Sequence, residues 1–162
     1  MVNAPAGDAT LQSPRFGTIT YSESDVLVFP WGLPGFDHLR HFLMLSLENQ
    51  EQLLWLQSLD DAGVSLPLGD PWAFFPDYDP KLPGFARLSL DLEKPEDFTL
   101  LCVAVVPETG PLFMNLMAPI VVNLRTRIAR QIALETGGYS VATLVPNSDN
   151  RSAEEQAEAP IE

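Results

Sequence analysis

Short apolar runs separated by turn signals set the limits on what this chain can fold into. FGTITY (16–21), DVLVF (25–29), FLMLSL (42–47), LLWLQS (53–58) and VSLPL (64–68) come first, divided by the polar ENQEQ and by a DDAG turn. FTLLCVAVV (98–106), LFMNLM (112–117), PIVVN (119–123) and RQIALE (130–135) continue the series. Runs of this length bounded by turn residues predict strands. With 15 prolines and 10 glycines among 162 residues, the corners are many and tight. The expected fold class is therefore all-β: a small antiparallel β-barrel, or a strongly curved sandwich, with one or two short helices. FTLLCVAVV, the longest and most β-rich run, is expected to be a central strand covered on both faces. For the helices, GFDHLRHF (35–42) can form one or two turns, and GFARLSLDL (84–92) fits either a short helix or an edge strand.

The ends of the chain have little to bury. Residues 1–14 are expected to be a flexible arm, residues 15–146 a single domain, and residues 147–162 a disordered acidic tail. No stretch approaches the ~18 apolar residues of a membrane span. The one cysteine, Cys102, sits inside an apolar run and has no internal disulfide partner. These features predict a cytoplasmic monomer, without a membrane or cofactor. The net charge of −13 would repel nucleic-acid phosphates over most of the surface. It is unevenly spread, with 15 acidic against 4 basic residues from Glu23 to Glu108. Between Gly110 and Pro146, by contrast, Arg125, Arg127 and Arg130 face a single Glu135. A basic protein is a more natural partner than a nucleic acid, although acidity also serves solubility alone.

Chemistry-bearing motifs are sparse. His38 and His41 would share one face of a helical turn, but no third ligand of matching character follows. Asp77 and Asp79 in FFPDYDP would face the same way on a strand, as a hydrolase pair or a hard-cation site needs; on a proline-bounded loop they cap turns or form an acidic patch. Asp60 and Asp61 fit a turn. There is no nucleophile elbow, phosphate-binding glycine loop or HExxH. What stands out instead is loops carrying large apolar side chains: FPWGLPGF, DPWAFFPDYDP and LFMNLMAPIVVN. Proline-stiffened loops with aromatics present a contact surface at low entropic cost, or else fold back to plug a barrel end. Asp77, Tyr78 and Asp79, with Asn115 and Met117, are the contact candidates from the latter two. In FPWGLPGF, Gly32 and Gly35 are expected to adopt positive φ around a stiff Pro34. That makes a structural corner with Phe29 and Phe36 inward, and Trp31 or Leu33 left for contact.

Several of these pieces occur together in a familiar order. FGTITYSESDVLVFPWGLPGF, WLQSLDD, DPWAFFPDYD, NLMAPIVVN and RQIALE resemble the flagellar assembly factor FliW family over about Phe16 to Glu135. The resemblance implies a non-enzymatic cytoplasmic β-barrel with two protein partners. One is flagellin, bound before export; the other is CsrA, a basic RNA-binding regulator of flagellin translation. It further implies a partner switch, in which free protein holds CsrA off its message until flagellin captures the protein. Departures from the family pattern include Pro67 within VSLPL, the weakly acidic PKLPGFARLSLDL, the three-arginine turn NLRTRIARQ and the ending YSVATLVP. The alternatives are a flagellin chaperone without CsrA binding, or a β-barrel hydrolase or metal enzyme using Asp77 and Asp79.

Overall fold

Phe98–Val105 (β7) has apolar residues on both sides of its pleat, and the fold is assembled around it. The computed structural model describes residues 9–47, 50–146 and 148. Before β7 come β1 (Ala9–Ser13), β2 (Gly17–Tyr21), β3 (Leu27–Val28), β4 (His41–Leu47), β5 (Gln50–Ser58) and β6 (Ser65–Gly69). After it come β8 (Phe113–Met114), β9 (Ile120–Asn123), β10 (Ala129–Gln131) and β11 (Thr143–Leu144). Two short helices, α1 (Pro71–Phe74) and α2 (Gly84–Ser89), lie between β6 and β7. The main sheet runs β10-β9-β7-β6-β5-β4-β3 with every ladder antiparallel; β8 joins β7, and β11 joins β8.

Register explains the core. Residues directly opposite one another point to the same face. The rows Leu27–Phe42, Met44–Leu56–Leu66, Leu54–Leu68–Val103, Leu101–Ile120 and Val122–Ala129 therefore share the concave face. That face, with Phe29, Leu33 and Leu39, forms one continuous apolar core, in which Phe29 and Phe42 meet edge-to-face at 5.1 Å. The convex face is covered in three places. The β1–β2 hairpin lies over Leu43, Leu45 and Trp55. Helix α2 supplies Ala86 over Leu100 and Val121. The segment after α1, with Tyr78, covers Cys102 and Met114.

The sheet curves strongly but does not close as a barrel. Its two ends meet at one isolated parallel bridge, Val28 to Ile128, where the Val28 N–H donates to the Arg127 carbonyl at 2.9 Å. A second break lies between β6 and β7, whose pairing covers only Leu68–Val103 and Gly69–Cys102. The next rung would need Pro67, which has no N–H to give. Beyond it, Val105, Phe113 and Leu144 stand in one cross-strand row, and Val105 and Leu144 are exposed.

Three other expectations are corrected. Residues 35–42 are not helical. Phe36 N–H donates to the Leu33 carbonyl at 2.7 Å across Pro34 and Gly35, and Gly35 has φ 83°, the geometry of a type II turn. From Arg40 onward the backbone pairs with the Phe29 N–H and continues into β4, so strand pairing wins over a helical turn. The second helix is instead α1, started by Asp70, whose carboxylate accepts the Trp72 N–H at 2.9 Å. The arm also yields a strand, because Ala9–Ser13 pairs with β2. Ser13 Oγ accepts the Arg15 and Phe16 N–H groups and donates to the buried Gln57 side chain at 3.0 Å. At the far end Ser148 is buried and its Oγ accepts the Leu112 N–H at 2.9 Å. Residues 1–8 of the arm and the tail after Ser148 lie outside the described residues.

Candidate protein-binding surface

The corner Phe29–Phe36 puts its side chains to opposite uses. Gly32 (φ 69°) and Gly35 take the left-handed conformations that the turns require. Phe29 and Leu33 go into the core and Phe36 packs against it. Leu33 thus serves the interior rather than a surface. Trp31 is the exception, 46% exposed. Its loop is held by the Arg40 guanidinium, which donates to the carbonyls of Pro30 and Asp37.

Two other elements meet Trp31. Arg130 on β10 pairs with Val121 and so projects from the convex face. Its guanidinium carbon lies 4.2 Å from the centre of the Trp31 ring and 5.1 Å from that of Phe85 on α2. Arg130 also donates to Ser89 Oγ at 3.2 Å. Helix α2 buries Ala86, the Leu90 that caps it is buried as well, and its outer side carries Phe85 (47% exposed) and Leu88 (85% exposed) at i, i+3. The result is a cation over two aromatic rings, with a nearly bare leucine on the same side of α2 as Phe85. Stacked aromatic–guanidinium contacts hold such side chains in place at modest entropic cost. Arg87 in the last turn of α2 is also exposed. Among the described residues, neither Arg40, Arg87 nor Arg130 forms a salt bridge, whereas Lys81 pairs with Asp79 and Arg125 with Asp91.

The remaining candidates do different work. Tyr78 is buried, donating its hydroxyl to the Leu116 carbonyl at 2.7 Å and packing edge-to-face on Tyr139 at 4.8 Å. Burial pushes its phenol well above the ordinary range. Trp72 donates Nε1–H to the Tyr78 carbonyl at 2.8 Å, and the Asp79 N–H donates to the Tyr139 hydroxyl at 3.0 Å. FFPDYD is thereby tied into a clamp. Asp77 and Asp79 are exposed, and Asp79 reaches Lys81 at 3.0 Å. Asn115 is a turn former: its Oδ1 accepts the N–H groups of Met117 and Ala118 in the bend between β8 and β9. Met117 is half-buried, and its carbonyl accepts the Leu134 N–H at 2.7 Å. Burial pushes the Cys102 thiol up to about 12.

The two histidines separate. His38 is in the exposed turn, whereas His41 opens β4 with its ring Nδ1 3.2 Å from Asp60. Among the described residues no group of three or more His, Cys, Asp or Glu side chains is placed to hold a metal ion. His41 and Asp60 line a cleft of about 730 Å³ with Tyr21, Glu23, Thr126 and Arg127. Sequence reasoning missed Phe85, Leu88 and Arg130. Phe85 and Leu88 share a side only if residues 84–89 are helical, and that segment read equally as a strand.

Comparison with known proteins agrees with this architecture. The family model described as FliW protein matches residues 10–145. The flagellar assembly factor FliW of Pseudothermotoga lettingae is 39% identical over 140 residues, spanning 85% of this chain and 89% of its own. That of Thermosipho africanus is 36% identical over 129 residues, spanning 78% and 89%. A crystal structure of the flagellar assembly factor FliW superposes with TM-score 0.78 at 27% identity, covering 84% of this chain and 96% of that one. No helix among the described residues is long and apolar enough to cross a membrane.

Proposed function

This chain belongs to the FliW family of flagellar assembly factors, and from that premise we propose that it works stoichiometrically, by protein–protein binding. In this reading it binds flagellin in the cytoplasm before export and antagonises the translational regulator CsrA. Flagellin that accumulates draws the protein away, and CsrA returns to its message. The observation that carries the reading is the exposed Trp31–Arg130–Phe85 stack beside Leu88, in a chain whose net charge is −13. Aromatic and arginine side chains dominate the energetics of protein interfaces. The acidic remainder of the molecule complements a basic regulator, and such complementarity speeds association.

Calorimetric titration with flagellin, and separately with CsrA, at low and high salt tests the reading. Binding to both is expected, with the CsrA association weakening as salt rises. Flagellin binding without CsrA binding would reduce the role to that of a flagellin chaperone. Absence of both interactions would overturn it.

A further inference from the structure

We infer that the surface formed by Trp31, Phe85, Leu88 and Arg130 is the docking site for an acidic protein segment with apolar flanks. Resting on the partner reading above, that segment belongs to flagellin, and CsrA binds elsewhere. The first argument is charge. A chain with 22 acidic and 9 basic residues has carboxylates enough to neutralise its cations. Yet Arg87 and Arg130, which adjoin the exposed Leu88 and Phe85, form no salt bridge among the described residues, as is also true of Arg15, Lys94 and Arg127 elsewhere, while Arg40 near Trp31 is engaged by the carbonyls of Pro30 and Asp37. Cations left unpaired on an acidic protein are available to carboxylates from outside.

The second argument is geometry. The Arg130 guanidinium lies over two rings, its carbon 4.2 Å from the centre of Trp31 and 5.1 Å from that of Phe85, and it carries several N–H groups. One of these donates to Ser89. A guanidinium fixed in this way suits a carboxylate, which accepts paired N–H donors with defined direction. Around it, Trp31, Phe85 and Leu88 supply apolar area that is already in place and exposed, so binding orders little that is not ordered beforehand.

The third argument is discrimination. A basic partner brought against these arginines would meet like charge, which disfavours it. The net charge of −13 disfavours a nucleic acid on the whole molecule. An acidic, apolar-flanked protein segment is what remains.

The test compares the wild-type chain with Leu88→Glu, Arg87→Glu and Arg130→Glu, each titrated with purified flagellin and with CsrA. Leu88 is 85% exposed, so its substitution leaves the fold intact even if Arg130→Glu does not. Each variant is expected to weaken flagellin binding about tenfold or more while CsrA affinity stays within about twofold. Raising the salt should weaken flagellin binding to wild type more than to Arg87→Glu. Flagellin affinity unchanged in Leu88→Glu and Arg87→Glu would overturn the assignment alone, as would equal loss of both partners. A wild-type chain that binds no flagellin would overturn the partner reading and the assignment with it.

Discussion

Gly32 has no room for a side chain. A Cβ there would lie 2.8 Å from the Asp37 carbonyl oxygen and 2.9 Å from its Cα, at φ 69°. Both the clash and the left-handed conformation penalise any other residue. Gly32→Ala is expected to lower stability by about 2 kcal/mol or more, read as an earlier midpoint in urea. The two glycines of GLPGF announce the positive φ at both positions, and Pro34–Gly35 the turn itself, but the close approach of Asp37 to Gly32 is not announced. Nor is the direction of Leu33, since its place among Phe29, Leu39 and Phe42 is a matter of tertiary packing. Asp60 is a second case that is silent in sequence. Burial raises its carboxyl, but the N–H groups of Arg40 and His41 and the His41 ring together outweigh this and hold it below the usual 3.8. A depressed carboxylate stabilises the fold fully above its unfolded value, and the contribution fades as pH falls through the folded one. Stability should therefore drop on acidification below 3.8, and Asp60→Asn should flatten that acid limb in a urea series. An unchanged limb would show that the pair contributes nothing. His41 and Asp60 are 19 residues apart, and only the β4–β5 pairing brings them together.

Helix α2 ends in a Schellman motif without its usual glycine. The Leu92 N–H donates to the Arg87 carbonyl at 3.0 Å and the Asp91 N–H to that of Leu88 at 3.3 Å, with Asp91 at φ 55°. A left-handed aspartate is strained relative to glycine. Asp91→Gly should thus raise stability by about 1 kcal/mol, despite losing the exposed 3.5 Å contact with Arg125. A lower urea midpoint would mean that the Arg125 contact outweighs the backbone. The missing glycine also explains why GFARLSLDL fits both helix and strand: no stop signal marks its end. Strands were far more legible, because burial on one or both faces writes itself into short apolar runs. What stayed hidden was what lies on the convex face. The surface position of Trp31 was legible from its loop, whereas Arg130 and Phe85 needed β10 and α2 to be placed beside it.

At the scale of the molecule, the curved sheet was legible and its manner of ending was not. Pro67 signals an edge in sequence, but the parting of β6 from β7 depends on which rung that proline would have had to complete. If the two proposed partners occupy separate surfaces, they exclude each other only through a coupling free energy, which is reciprocal by necessity. The Val28–Ile128 junction has a consequence of its own. Every other neighbouring pair along the main sheet is joined by a ladder of two or more rungs, whereas this seam depends on one, beside an Arg127 in the left-handed conformation. Transient opening should begin where the fewest bonds must break together. In deuterated buffer the Val28 amide is expected to exchange well before that of Leu56 at the centre of β5. Slow, matched exchange at both would mean that the chain breathes as one unit. A protein whose two sheet margins are fastened by one backbone rung and one arginine side chain, Arg127 donating to the Asp25 carbonyl, can widen without unfolding, and a partner lying across that stitch would be felt all round the curve.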